Sequence, residues 1–249
     1  MTLALGIIRS GSPWYSLLLL AGIGVSVTYW VRMARRDERL IVIYLAALVS
    51  AFFGAKLVYL AAEGWMFWDA PDRWTILATG KSILGALLGG YLGVEVAKKA
   101  VGYEKATGDW FAFIAPVGIV FGRVGCLVNG CCLGQRCAPA WWTIRDAHGI
   151  ARWPAVPVEI GFNLAAIVTF LILRRRRILP GQHFHLYLMA YGVFRFFHEF
   201  LRATPRVSGE VSGYQFAAIA VAILGLVGFL RRRHGTPFSS GLPAYSSAD

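Results

Sequence analysis

Arg195, Glu199 and Arg202 fall at i, i+4 and i+7 within YGVFRFFHEFLR, so on a helix all three share one face. On a soluble helix that spacing describes an intrahelical ion pair with Arg202 snorkelling to an interface. The surrounding run LYLMAYGVFRFFHEFL is apolar, however, and a charge at membrane depth persists only with a partner, a wet cavity or a task. Arg123 in FAFIAPVGIVFGRVG and Lys56 in LIVIYLAALVSAFFGAKLVYL are placed in the same way. Arginine holds phosphate oxygens in a planar fork, so these cations predict a polar cavity that attracts an anion. Glu159 lies near the start of another apolar run and completes the set of ionisable groups. His198 neighbours the Arg195 face but points elsewhere and is expected to be structural.

The stretch GRVGCLVNGCCLG joins Arg123 to Gly125, Gly130, Gly134 and Asn129. Glycines at a helix end let the backbone approach a ligand and expose N–H groups to an anion. The upstream glycines of GKSILGALLGGYLG, with Gly85 and Gly89 in a small-xxx-small arrangement, are expected to serve close helix packing. Cys126, Cys131, Cys132 and Cys137 have C-x4-C-C-x4-C spacing, which is not a standard zinc pattern. On an oxidising outer face one or two disulfides stapling the loop are expected, with an iron–sulfur cluster, small buried thiols and a reactive cysteine as alternatives. No metal and no cofactor is expected from residue spacing.

These residues need a frame, and composition supplies its class. Hydrophobic residues make up 57% of the 249 positions and charged residues only 15%. The mean hydropathy is +0.57. A polytopic, all-α membrane protein fits this better than a soluble domain. Seven apolar segments are expected near 14–31, 40–62, 81–97, 109–129, 156–173, 183–201 and 213–230. The net charge of +12 would suit nucleic acid, but the basic residues cluster at the ends of apolar runs, so no nucleic-acid partner is expected. The richer clusters, at 32–39, 98–105, 174–177 and 231–233, alternate with poorer ones and predict an outside N-terminus and an inside C-terminus. Lys56, Arg123, Glu159, Arg195 and Glu199 then reach similar depth in the outer half of four helices. Residues 1–234 are expected to form one membrane domain without a cleaved signal peptide, and 235–249 a disordered inner tail.

In this setting the motifs resemble a family. FGRVGCLVNGCCLG is similar to the G-R-x-G-N-x-x-N-G-E-x-x-G signature of prolipoprotein diacylglyceryl transferases, through Gly122, Arg123, Gly125, Asn129, Gly130 and Gly134. Arg195 and Glu199 match a second essential stretch, Lys56 a basic position in GAKLVYL, and Pro154 and Glu159 a P-S-x-x-Y-E stretch. The pieces occur in family order across most of the chain, and the family's seven helices agree with the expected topology. Cys126 stands where the family usually has Asn, and Cys131 where it usually has Glu. The family's H-G-G-L stretch aligns with Leu84-Gly85-Ala86-Leu87, so its histidine is missing.

The resemblance implies transfer of diacylglycerol from phosphatidylglycerol to the lipobox cysteine of a prolipoprotein signal peptide, in a bacterial plasma membrane. Arg123 and Arg195 would hold the phosphate and Glu199 would orient Arg195. Glu159, if burial favours its protonated form, is a candidate base. Lys56, Arg202, Asn129, Gly125, Gly130 and Gly134 would bind substrate. Alternatives are a transferase of the same fold with another lipid or thiol acceptor, a lipid-binding or transport protein, and a redox protein built on the cysteines. A transporter usually needs charged or broken-helix features on both sides, whereas these charges cluster at one depth.

Overall fold

The computed structural model describes residues 13–35 and 37–234. The N-terminal stretch and the tail expected at 235–249 lie outside the described residues. Each of the seven apolar segments is a helix within a few residues of its expected bounds. These are α1 (Pro13–Ala34), α2 (Arg39–Ala62), α4 (Ile83–Ala100), α5 (Gly108–Val128), α6 (Ala155–Arg175), α7 (His183–His198) and α8 (Gly213–His234). Besides a 3₁₀ turn at Gly64–Phe67, two further elements were not expected. A short helix, α3 (Arg73–Thr79), precedes α4 and is bent from it by 52°. A small antiparallel hairpin, β1 (Ile144–Arg145) with β2 (Ala151–Arg152), sits in the loop after α5 of an otherwise helical chain. Both are too short for periodicity to announce.

Among the described residues four helices, α2, α5, α6 and α8, are long and apolar enough to cross a membrane, and the bent α3–α4 pair can make a fifth span. Large apolar side chains stand exposed along them, among them Phe52, Phe53, Leu57 and Val96. Such surface is unfavourable in water and natural against lipid tails.

Glycine decides the tightest contact in the bundle. A Cβ on Gly85 would overlap the carbonyl oxygen of Gly54, and one on Gly89 would overlap that of Ser50, so α4 lies directly on the backbone of α2. Ser82 starts α4 by accepting from Gly85 N at 3.3 Å, and Lys98 and Lys99 sit in the last turn, where the helix dipole favours cations. Two aromatic-rich cores flank this pair. Trp30 stacks on Tyr44 between α1 and α2. Tyr187, Leu188 and Tyr191 of α7 pack with Ala218 and Val221 of α8. Small side chains, including Ala47, Ala51, Ala55, Ala86, Gly90, Gly118 and Gly122, leave a cavity of about 1130 Å³ between these cores.

Candidate functional site

The cavity ends in a cluster of buried charge built by three helix ends. Arg123 comes from the last two turns of α5, Glu159 from the second turn of α6, and Arg195 from the last turn of α7, where its charge opposes the negative end of the helix dipole. Beyond His198 the chain tightens into a 3₁₀ turn, Glu199–Leu201, which carries Glu199 and swings Arg202 inward. Arg202 is therefore buried, not snorkelling to an interface.

Glu159 is fully buried at the centre. Arg123 Nη2 lies 3.1 Å from its Oε1 and 2.9 Å from its Oε2. Tyr191 donates its hydroxyl to Oε1 at 2.6 Å. Arg195 and Arg202 approach Oε2 at 3.7 and 3.8 Å. Glu199 pairs with Arg195 at 2.8 Å and with Arg202 at 3.5 Å, and accepts from Thr204 at 2.7 Å. A second tier supports the first: Asn163 donates to the backbone oxygen of Glu159 at 2.8 Å and accepts from Tyr187 at 2.7 Å. Three guanidinium groups thus face two carboxylates, a net excess of one positive charge.

The arrangement has a direction. Arg123, Arg195 and Arg202 line the cavity, whereas Glu159 and Glu199 do not. Glu159, the expected base, is instead the counter-ion behind the arginines, set against three cations and a tyrosine and absent from the cavity lining. Hydrogen bonding within the cluster is incomplete: Arg123 Nε and Arg195 Nε have no partner, and Arg195 Nη1 and Arg202 Nε and Nη1 reach the glutamates only as ion pairs at 3.5–3.8 Å. Buried donors left unmade cost about 1–3 kcal/mol each, more when charged, so an oxyanion supplying acceptors would relieve that cost.

The other sequence candidates divide. Asn129 caps α5, lines the cavity, and has a buried Oδ1 without a partner. Gly130, at φ +64°, lines a smaller adjoining pocket of about 380 Å³ and turns the chain as only glycine does without strain. Gly125 is buried within α5, and a Cβ on Gly134 would overlap the carbonyl oxygen of Trp153, so these two serve packing. Lys56 is not brought to the arginines. Its Nζ donates to the carbonyls of Leu77 and Gly80, both at 2.8 Å, and to that of Ala78, capping the C-terminus of α3. Leu84, at the position of the family histidine, is buried in the apolar core. His198 accepts from Trp153 Nε1 at 3.4 Å and stacks on Phe194.

Two residues were missed. Tyr191 precedes Arg195 by one helical turn, a spacing that extends the charged face backwards and could have flagged it. Glu63, directly after α2, lines both cavities together with Cys131, Cys132, Arg202 and Thr204. Burial raises its carboxyl pKa above the ordinary value. Only its position at the end of an apolar run hinted at this. Among the described residues no disulfide forms, and all four cysteines are free.

Comparison with known proteins places this site in a family. The model of the prolipoprotein diacylglyceryl transferase family matches residues 4–231. A protein of Clostridium perfringens named phosphatidylglycerol–prolipoprotein diacylglyceryl transferase 2 is 28% identical over 234 residues, covering 87% of this chain and 90% of the relative. Similarly named proteins of Symbiobacterium thermophilum and Gloeobacter violaceus are 29% and 31% identical, over 92% and 88% of this chain and 92% and 89% of the relatives. With the matched region spanning nearly all of its helices, the chain belongs to the prolipoprotein diacylglyceryl transferase family.

Proposed function

We propose that this protein transfers the diacylglyceryl group of phosphatidylglycerol to the lipobox cysteine thiol of a prolipoprotein signal peptide. One observation carries the reading: three arginines line the charged end of a large, mostly apolar cavity. An anionic diacyl lipid fits both halves of that description. Its acyl chains take the apolar part, lined by residues such as Ile83, Leu87, Phe111 and Ile119, and its phosphate meets Arg123, Arg195 and Arg202. Asn129 positions the glycerol.

In the reaction the acceptor sulfur attacks the glyceryl carbon, the carbon–oxygen bond to phosphate breaks, and glycerol phosphate leaves with the electron pair. Negative charge grows on the leaving phosphate, where the guanidinium donors stabilise it. Glu199 and Glu159 keep Arg195 and Arg123 aimed at that position. The acceptor reaches the same end of the site through the smaller pocket lined by Glu63, Cys131 and Cys132.

The same reading sets residues 1–234 as one transferase domain in the bacterial plasma membrane, crossing it seven times with the N-terminus outside. Arg32, Lys98, Lys99, Arg174 and Arg175 in the last turns of α1, α4 and α6 support this, because they gather at the helix ends opposite the arginine cluster. The test is direct. Purified protein is given phosphatidylglycerol and a lipobox peptide, and the peptide is analysed by mass spectrometry. A mass increase of one diacylglyceryl group is expected; its absence with folded protein refutes the assignment. An adduct on a non-lipobox thiol alone would favour a different acceptor.

A further inference from the structure

Beyond the arginine cluster, the fold draws three of the four cysteines together and leaves the fourth outside. Gly130 at φ +64° and Cys132 at φ +60° turn the chain back over the end of α5, held by Cys131 N donating to Cys126 O at 3.1 Å. A left-handed conformation at a non-glycine residue is strained and persists only where the surroundings impose it. Here it brings Cys126, Cys131 and Cys132 together with all three Sγ atoms within 4.8 Å of one another. Cys126 and Cys132 are 3.7 Å apart, sulfur to sulfur. Ligands about 2.3 Å from a tetrahedral metal ion sit about 3.8 Å from each other. Cys137 lies outside the group, its N–H bonded to Ala151 O in the hairpin.

All three thiols line the lipid cavity, and Cys131 and Cys132 also line the smaller pocket. Cys126 Sγ is 4.0 Å from Arg123 Nη1. Three thiolates around a divalent ion carry a net charge of minus one, which the excess positive charge of the arginine cluster accommodates. Three protein ligands with a fourth position facing a cavity is the layout of catalytic zinc sites, in contrast to closed structural ones. Cys126 and Cys131 are also the positions at which this chain departs from the family signature, and the chain lacks the histidine that the signature leads one to expect.

We propose that Cys126, Cys131 and Cys132 hold a thiophilic divalent cation of the zinc class, whose open position takes the acceptor thiol as a thiolate. The metal site stands on geometry alone, whereas its use on the acceptor rests on the function proposed above. In that step the acceptor S–H gives its proton to the Glu63 carboxylate as the metal–sulfur bond forms. The bound sulfur then forms the bond to the glyceryl carbon while the carbon–oxygen bond to phosphate breaks. Glycerol phosphate departs with the electron pair, and the product thioether, a weak ligand, leaves the metal. No atom changes oxidation state.

The full-length protein, purified in detergent and reduced, is loaded with Zn(II) or Co(II). Elemental analysis should find a single equivalent per chain, and the Co(II) form should show thiolate charge-transfer absorption. Both should vanish in Cys126→Ser/Cys131→Ser/Cys132→Ser and persist in Cys137→Ser. Uptake of neither ion by the wild type above that triple variant overturns the site, a result that does not depend on how well the variant folds. For the acceptor step, chelation should lower transfer to the lipobox peptide by about 10²-fold or more, with recovery on adding zinc. Unchanged transfer after metal removal overturns the acceptor role. Stoichiometric metal with no transfer by the loaded wild type would uphold the site and refute the proposed function instead.

Discussion

Arg123→Lys tests the phosphate clamp without removing its charge. In the wild type one nitrogen, Nη2, serves both oxygens of Glu159, while Nε has no partner and Nη1 has only the long contact to Cys126. A lysine ammonium is a single point, so it can satisfy Glu159 or reach toward the lipid phosphate but cannot span both. The ion pair at Glu159 therefore survives in part, and the protein should fold with a midpoint within a few degrees of wild type. What disappears is a charged donor directed at the leaving group. Loss of one such donor from an oxyanion site costs about 2.7–4 kcal/mol, or about 10²–10³-fold. The expected result is that large a fall in kcat/KM for diacylglyceryl transfer to a lipobox peptide, measured at saturating phosphatidylglycerol to expose the kcat component. A variant within about threefold of wild type would refute the idea that the Arg123 fork stabilises departing phosphate.

Arg195→Lys should lose transfer to a similar extent, and the double variant should cost less than the two losses summed, because both arginines lean on Glu159; strict additivity would argue against a shared cluster. Glu159→Gln removes the counter-ion of three buried cations and should destabilise the fold by about 3–5 kcal/mol in thermal unfolding in detergent; an unchanged midpoint would contradict the charge arrangement. Lys56→Met should loosen the end of α3, costing about 1–2 kcal/mol in stability, yet keep kcat near wild type; a selective loss of lipid affinity would restore Lys56 to the substrate site. For the pH profile the sign is fixed by the proton's direction. Glu63 must be ionised to accept a proton, so transfer should fall as pH drops through its raised pKa, and Glu63→Gln should abolish that acid limb along with most activity. An identical acid limb in Glu63→Gln would exclude Glu63 as the titrating group.

Much of the site was legible because helical spacing is a local property. Arg195 and Glu199 meet as their i, i+4 separation requires, and Gly85 and Gly89 pack as a small-xxx-small pair should. Lys56 failed as a substrate residue for an equally physical reason. Depth in an apolar run shows that a charge needs partners but not which ones, and here the carbonyls of the unforeseen α3 supply them. Glu159 was rightly placed beside the arginines, but which side of them it would occupy depended on how α6 meets α5 and α7.

The apolar helices, their order, and the gathering of Arg123, Glu159, Arg195 and Glu199 at one end of them could be read from the chain alone. Hydrophobic runs, charge clusters and short helical intervals are encoded residue by residue. Packing in three dimensions was needed to bury Arg202 in the cluster, to face the arginines to the cavity with the glutamates behind them, and to bring Glu63 to it. It alone also decided that three cysteines converge, because two left-handed residues reverse the chain there. Those outcomes depend on the directions in which helix ends meet and side chains turn, and linear spacing carries no such information.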